Sequence, residues 1–145
     1  MDRRVFLRQS CTFCLLAGTG LLSAAISSCS AFPVIEMEAR GGQLTIPLGG
    51  FKEHDLVVVH AAGMLYDIAV RRLSGEEYVA VQLRCTHADN ELTPSETGYS
   101  CPAHGSRFDV AGHVVRGPAQ KPLERYTAAL RGNSIIVNLT ERSKT

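Results

Sequence analysis

Hydrophobic and β-branched residues recur at a spacing of two along several short segments, which is the period of half-buried β-strands. Turn residues separate these segments, and Ser74-Gly75-Glu76-Glu77 and Arg131-Gly132-Asn133-Ser134 are both typical of β-hairpins. No window after residue 42 has a convincing helical period. The pattern predicts an all-β fold, a small antiparallel β-sandwich or barrel, with strands at residues 43–48, 56–60, 66–70, 79–83, 126–130 and 135–139.

Residues 84–119 interrupt this strand pattern. They hold most of the turn residues of the predicted domain, together with Cys85 and Cys101. A loop of this length within a compact domain is usually functional. We therefore expect residues 84–119 to form a loop subdomain that carries the functional site.

The N-terminal segment has a basic start, an apolar middle and small residues at its end, as secretory signals do. Arg3 and Arg4, in Asp2-Arg3-Arg4-Val5-Phe6-Leu7-Arg8, resemble a twin-arginine export signal. Ile26-Ser27-Ser28-Cys29 resembles a bacterial lipobox, in which Cys29 is the lipid-bearing first residue of the mature chain. Two alternatives stay open: both motifs are ordinary signal-peptide composition, or the segment is an uncleaved membrane helix.

These features divide the chain into four parts. We expect a signal segment at residues 1–28, a tether at 29–42, the β domain at 43–141 and a short tail at 142–145. The predicted location is the periplasmic side of a bacterial cell envelope, with the domain tethered to the membrane by a lipid or a helix.

Composition and charge exclude several classes of protein. The chain has 145 residues with 15 Lys+Arg and 14 Asp+Glu and no basic stripe, so we expect one domain and no nucleic-acid partner. Its five cysteines are too few for a scaffold built from disulfides. From residue 29 onward the only cysteines are Cys29, Cys85 and Cys101, and the last two each lie close to a histidine.

Two short motifs contain the candidate chemistry. Cys85-Thr86-His87 is a C-x-H motif and Cys101-Pro102-Ala103-His104 is a C-x-x-H motif, so together they offer two thiolates and two imidazoles. Zinc is the simplest occupant, but zinc sites usually pair Cys with Cys and His with His along the chain. One Cys and one His from each motif suit a 2Fe–2S cluster in which one iron binds both thiolates and the other binds both imidazoles.

Both motifs, followed by Gly105-Ser106-Arg107-Phe108-Asp109, resemble the signature of the Rieske iron–sulfur family. Gly117-Pro118-Ala119, with Pro122-Leu123 behind it, is similar to the proline-containing loop that covers the cluster in that family. The resemblance implies a Rieske-type β fold, one 2Fe–2S cluster and electron transfer. It also implies a hydrogen bond from Ser106 to the cluster, a covering role for Gly117 and Pro118, and four cluster ligands, namely Cys85, His87, Cys101 and His104.

The chain departs from the quinol-oxidising members of that family. Those subunits typically have an additional cysteine in each cluster loop, joined as a disulfide, where this chain has Asn90 or a near neighbour and Ala103. They also tend to have Tyr where this chain has Phe108, which cannot donate a hydrogen bond to a cysteine sulfur. Fewer hydrogen bonds to the sulfurs imply a lower reduction potential. In this respect the chain is more similar to Rieske ferredoxins and small reductase subunits.

These observations favour a one-electron carrier of the bacterial envelope, with redox protein partners such as a cytochrome b or c or a periplasmic reductase. The alternative is the iron–sulfur subunit of a quinol–cytochrome c reductase or a related periplasmic complex, in which His87 or His104 hydrogen-bonds quinol. We expect no substrate site of its own, because four filled ligand positions leave none open. Four other aromatic or imidazole side chains are interpreted as ordinary surface or core residues: His54, His60, Tyr66 and His113.

Overall fold

The computed structural model describes residues 32–143, and these form eleven short β-strands and one 3₁₀ turn, Leu48–Phe51. The strands are β1 Val34–Met37, β2 Gln43–Pro47, β3 Leu56–Ala61, β4 Ile68–Ser74, β5 Glu77–Gln82, β6 Thr93–Ser95, β7 Gly98–Ser100, β8 Arg107–Phe108, β9 Val114–Arg116, β10 Arg125–Arg131 and β11 Ser134–Arg142. The predicted all-β fold is confirmed. Over residues 32–143, no helix has the length and apolar character needed to cross a bilayer.

Seven strands form the base sheet, in the order β1-β3-β4-β5-β10-β11-β2. All neighbouring pairs are antiparallel except β1, which runs parallel to β3. The turns predicted at residues 74–77 and 131–134 join β4 to β5 and β10 to β11, as expected for hairpins. This sheet is the barrel-like base on which the site is built.

Alternation along the strands builds the core of the base sheet. In β2, Leu44 and Ile46 are fully buried, whereas Gln43, Thr45 and Pro47 are exposed. Burial of each aliphatic side chain contributes about 1.5–3 kcal/mol. A shift of one residue would turn these side chains to solvent, so the alternation fixes the register of the strand.

The structure corrects the predicted tether. Strand β1 lies within residues 29–42, where it pairs with β3 from Val34 opposite Val58 to Met37 opposite Ala61. Just before it, the Phe32 ring meets the His54 ring edge-on, with centroids 5.9 Å apart. Pro33 and Gly41-Gly42 favour a tether, but Ile35 and Met37 pack against the buried side chains of the base sheet and hold these residues as a strand. At the other end, β11 continues to Arg142, the first residue of the predicted tail.

Residues 84–119, which the sequence predicts to be a loop subdomain, contain a second sheet. Its four strands have the order β6-β7-β8-β9, and each is only two or three residues long. Tyr99 and Phe108 lie opposite each other in this small sheet, and both are buried. Strands this short show no alternation in a sequence, and the pattern therefore predicts only a loop here.

The predicted export signal, with Arg3 and Arg4, and the predicted lipid-bearing Cys29 lie outside the described residues.

Candidate metal centre

Two loops that leave the short strands have the same backbone arrangement. In loop 1, residues 85–90, the Cys85 N–H donates to the Asn90 carbonyl at 2.8 Å and the Asp89 N–H donates to the Cys85 carbonyl at 2.9 Å. In loop 2, residues 101–106, Cys101 and Ser106 form the first of these bonds and Gly105 and Cys101 the second, each at 2.9 Å. Each loop therefore presents a cysteine at its start on a closed, hydrogen-bonded turn.

The fourth residue after each cysteine has a left-handed backbone. Asp89 has φ +54° and Gly105 has φ +77°. Glycine adopts this conformation without steric cost, and aspartate tolerates it better than most residues do. The sequence suits this left-handed backbone. Loop 2 has Gly105 at the position, and loop 1 has the turn-forming pair Asp89-Asn90.

Both cysteines point into the protein. Cys85 and Cys101 are free thiols and are at most 2% exposed. They belong to the same group of buried, packed side chains as Phe108 and Tyr99. Burial raises the pKa of the Cys101 thiol. Hydrogen bonds outweigh burial and lower this pKa below its ordinary value; they come from the backbone N–H groups of His104 and Ala103 and from the Cys85 side chain. N–H groups directed at a sulfur favour a thiolate, the form that binds metal.

Both motif histidines lie at the surface. The rings of His87 and His104 are exposed, with centroids 5.0 Å apart and planes nearly perpendicular at 87°. The four predicted ligands therefore come together as a buried thiol pair and an exposed imidazole pair. This division of donors fits a two-iron cluster with different ligands on its two irons. Among the described side chains, no three of His, Cys, Asp or Glu are grouped as a site for one metal ion.

A third loop, residues 117–121, is bonded to both cluster loops. The Ser106 hydroxyl is fully buried and accepts a hydrogen bond from the Ala119 N–H at 3.0 Å. The Thr86 hydroxyl donates to the Lys121 carbonyl at 2.6 Å. The structure thus brings the segment that contains Gly117 and Pro118 beside the two motifs. The bond to Ala119 uses a lone pair of Ser106 and leaves its hydroxyl proton for another acceptor.

Tyr66 has a role that the sequence interpretation missed. Its hydroxyl donates to the Asp89 carbonyl at 2.5 Å, so a residue between β3 and β4 anchors loop 1 to the base sheet. The Asp89 carboxylate also lies 3.6 Å from Nε of Arg84. No motif could reveal the Tyr66 contact, because its acceptor is a main-chain carbonyl 23 residues away.

The other histidines have ordinary contacts, as expected. His60 is exposed and shares a hydrogen bond with Asp67 at 2.7 Å, which, together with the charge of Asp67, raises the pKa of His60. His113 lies 3.0 Å from the Asp109 carboxylate. Neither histidine is hydrogen-bonded to a cluster loop.

Comparison with known proteins identifies the family of this domain. Residues 43–127 match the family described as Rieske [2Fe-2S] domain. Among curated relatives, the cytochrome b6-f complex iron-sulfur subunit of Chlorobaculum thiosulfatiphilum is 31% identical over 90 residues, which are 61% of this chain and 42% of that protein. The cytochrome b6-f complex iron-sulfur subunit 2 of Trichormus variabilis is 28% identical over 141 residues, covering 83% of this chain and 79% of that one. The chain thus spans less than half of the first relative.

Solved structures show the same fold. The cyanobacterial plasma membrane Rieske protein PetC3 from Synechocystis PCC 6803 aligns with a TM-score of 0.57 and 23% identity, over 65% of this chain and 97% of that chain. The Sphingomonas yanoikuyae B1 ferredoxin aligns with a TM-score of 0.52 and 27% identity, over 66% of this chain and 97% of that chain.

Proposed function

This chain belongs to the Rieske family, whose domain binds one 2Fe–2S cluster, and from that premise we propose that it is a one-electron carrier with four cluster ligands, Cys85, Cys101, His87 and His104. The observation that supports the ligand set most directly is the pairing of donors, with two thiols buried side by side and two imidazoles exposed 5.0 Å apart. When bound, the cluster supplies a couple that gains and loses single electrons.

The residues of this chain then have distinct tasks. Backbone N–H groups directed at Cys101 stabilise its thiolate form. Exposed rings at His87 and His104 bring the ligand shell to the surface, where a partner protein can come into contact with it. Ser106 has a hydroxyl proton left to donate, and its bond to Ala119 fixes the direction of that proton.

A second candidate is the iron–sulfur subunit of a quinol–cytochrome c reductase or a related complex. The observation that favours it is the similarity to proteins named as cytochrome b6-f complex iron-sulfur subunits. Against it stand Asn90 and Ala103, which offer no thiols for a disulfide between the cluster loops, and Phe108, which has no hydroxyl. We favour the carrier, with a cytochrome or a periplasmic reductase as its partner.

We place this carrier on the periplasmic side of a bacterial envelope. The support is the likeness of residues 1–28 to a twin-arginine signal and of Cys29 to the lipid-bearing residue of a lipobox. A bacterial lipoprotein carries more than one acyl chain, which is enough for stable anchoring, whereas a single chain is not.

Metal analysis tests the ligand set. We expect the purified protein to contain two irons and two labile sulfides, with an electron paramagnetic resonance signal after reduction by dithionite. Cys85→Ser and Cys101→Ser should each abolish that signal, and His60→Gln, a control histidine outside the motifs, should leave it unchanged. One zinc per chain and no signal, from cells grown with ample iron, would show that the cluster assignment is wrong.

The reduction potential tests the role of Ser106. Ser106→Ala should keep the cluster and lower its potential, because a hydrogen-bond donor to the reduced, more negative cluster is lost. A hydrogen bond to a charged group is worth about 1.5 kcal/mol at the low end, which is roughly 65 mV for one electron. Ser100→Ala is the control in protein-film voltammetry, because within residues 32–143 the one hydrogen bond of the Ser100 hydroxyl is to the Thr93 carbonyl, at 3.5 Å. If Ser106→Ala and Ser100→Ala have the same reduction potential, Ser106 does not donate a hydrogen bond to the cluster.

A further inference from the structure

We propose that two arginines at the base of the cluster loops, Arg107 and Arg116, form a docking surface for an acidic redox protein. This inference rests on the proposed electron-transfer function and adds the charge of the partner and the residues that recognise it.

The two arginines lie in one row across the small sheet. Thr93 pairs with Ser100, Ser100 with Arg107, and Arg107 with Arg116. Residues directly opposite each other on adjacent strands share a face of the sheet. Thr93 and both arginines are exposed and Ser100 is half-buried, so this face presents two guanidinium groups to solvent.

The pairing of Arg107 with Arg116 has an energetic cost. Like charges directly opposite each other destabilise a sheet by up to about 1 kcal/mol. The five ion pairs formed within residues 32–143 all involve other side chains, so within that range no carboxylate offsets either charge at salt-bridge distance. Where a sequence keeps a locally unfavourable pair, a functional site is the expected reason.

The location of this pair links it to the cluster. Arg107 directly follows loop 2, whose Ser106 is bonded to Ala119, and Arg116 directly precedes loop 3, which begins at Gly117. Both residues therefore lie at the points where these two loops leave the sheet. A protein that binds here comes close to loop 2, which also contains the exposed His104.

An exposed apolar residue adjoins the arginines. Val115, next to Arg116 in β9, is 67% exposed and lines an open groove of about 460 Å³ together with Arg107 and the polar residues Ser95 and Thr97. Apolar contact with arginine beside it is typical of protein–protein interfaces, where arginine is enriched.

Charge complementarity identifies the occupant as an acidic protein. Cationic groups at an interface speed up the encounter with a negative partner and discourage basic ones. Two charges are too few for a nucleic acid, which needs a cluster or stripe of basic residues. A carrier must also release its partner after one electron, and steering by a small charged patch raises the association rate more than the affinity.

The experiment uses the reduced holoprotein and two small oxidants of opposite charge, hexacyanoferrate(III) and tris(phenanthroline)cobalt(III). In each reaction the reduced protein is oxidised by one electron, and the metal of the complex is reduced from oxidation state III to II. Arg107→Gln with Arg116→Gln should lower the stopped-flow rate with hexacyanoferrate(III) by about tenfold at about 10 mM ionic strength. The rate with the cobalt complex should stay the same or rise, and the tenfold difference should vanish at about 0.5 M salt.

A matched control separates the patch from the net charge. Arg40→Gln with Arg131→Gln removes two exposed arginines from the base-sheet side and leaves the arginine pair intact. This variant should react with hexacyanoferrate(III) at close to the unmodified rate. Poly-L-glutamate, a redox-inactive acidic chain, should inhibit the unmodified and control proteins but not the Arg107/Arg116 variant.

Several outcomes would overturn the proposal. Equal rate losses in the two double variants would show that only net charge matters, and unchanged rates in both would show that the patch has no role. Binding of the unmodified protein to phosphatidylserine vesicles, lost in the patch variant while its oxidation rates are unchanged, would assign the surface to a membrane. If neither oxidant takes an electron from any of the proteins, the electron-transfer function itself fails.

Discussion

Asp89 shows how a single residue is held in a conformation that it does not prefer. A left-handed backbone costs a non-glycine residue about 1–2 kcal/mol, and Asp89 occupies it at φ +54° two residues after His87. Two contacts accompany this conformation, a long-range one from the Tyr66 hydroxyl to its carbonyl and a local one from Arg84 to its carboxylate. Strained residues of this kind persist where the surrounding structure fixes them, and here it fixes a turn that carries two proposed ligands.

Removal of the Tyr66 hydroxyl should loosen loop 1. We expect Tyr66→Phe to lower the free energy of unfolding by about 1 kcal/mol and to speed the loss of the cluster's visible absorbance in the presence of a chelator. Tyr126→Phe is the control, because the Tyr126 hydroxyl is not among the hydrogen bonds found within residues 32–143. Urea unfolding and the bleaching rate measure the two effects. If Tyr66→Phe and Tyr126→Phe behave alike, the contact with Asp89 does not anchor the loop.

Among the elements, the small sheet depends on one close approach. Gly98 begins β7 with φ +143°, and a Cβ at this position would collide with the Phe108 carbonyl oxygen of the neighbouring strand. Its neighbour Tyr99 pairs with Phe108, which belongs to the buried cluster around Cys85 and Cys101. The backbone contact at Gly98 therefore affects the strand pair directly beneath the metal centre.

Gly98→Ala should prevent this pairing and with it cluster binding. The matched control is Gly132→Ala in the β10–β11 turn, where φ is +58° but a Cβ would meet open space. We expect the control to lose only about 1 kcal/mol of stability and to keep its iron, and Gly98→Ala to be recovered without iron. Iron per chain and circular dichroism of the two proteins distinguish them. A Gly98→Ala protein with full iron content would show that β7 can shift to make room.

The turn between β8 and β9 gives the same sheet a dependence on pH. The Asp109 carboxylate accepts hydrogen bonds from the Ala111 N–H at 2.9 Å and the His113 N–H at 2.8 Å. Partial burial raises the pKa of Asp109, but these bonds and the His113 side chain outweigh burial and lower it below the ordinary value. A lowered folded-state pKa stabilises the protein above the unfolded-state value of about 3.9, and this stabilisation is lost as pH falls through the folded-state value.

Asp109→Asn should remove this contribution. At pH 7 we expect a loss of about 1 kcal/mol, kept small because the carboxylate is partly exposed. At pH 3, below the unfolded-state value of about 3.9, the difference from the unmodified protein should shrink, because the unfolded chain already binds a proton that the native carboxylate, with its lowered pKa, resists. Urea unfolding at both pH values measures the loss, with Glu76→Gln in the exposed β4–β5 turn as the control. A loss that is the same at both pH values would mean that the charge of Asp109 is not involved.

At the scale of the whole molecule, the sequence predicts whatever is local and strongly patterned. The two long hairpins are predicted by their turns. The four proposed ligands, Cys85, His87, Cys101 and His104, come from two motifs whose spacing fits only a few kinds of metal site. The small sheet was not predicted, because its strands are too short to show a period. The sequence pattern predicts a tether where β1 lies, because the burial of this strand comes from a parallel partner more than 20 residues away. The Tyr66 anchor joins distant segments through a main-chain atom, and no residue pattern records such a bond.

The proposed route to the envelope also concerns the whole molecule. The thiols of Cys85 and Cys101 belong to a buried group of side chains to which the base sheet, loops 1 and 2 and the small sheet all contribute, so we expect metal binding and folding to depend on each other. A chain that acquires its cluster in the cytoplasm has to be exported already folded. We therefore expect Arg3→Lys with Arg4→Lys to leave the cluster-loaded protein in the cytoplasm, whereas Arg8→Lys, a control four residues after the pair, should be exported normally. Cell fractionation with iron analysis of each fraction measures both, and normal export of the double variant would contradict the twin-arginine interpretation.

Anchoring is a separate proposal for the same segment, and in it Cys29 carries the lipid. If Cys29 carries the lipid, Cys29→Ser should abolish incorporation of labelled fatty acid and either release the protein from membranes or block its processing. Cys14→Ser changes a cysteine within the apolar part of the segment and should alter neither result. Because the cluster loops are far from residue 29 in the chain, the iron content of the Cys29 variant should equal that of the unmodified protein. A Cys29→Ser protein that stays in the membrane uncleaved and fully active would show that an uncleaved helix, and not a lipid, holds it there.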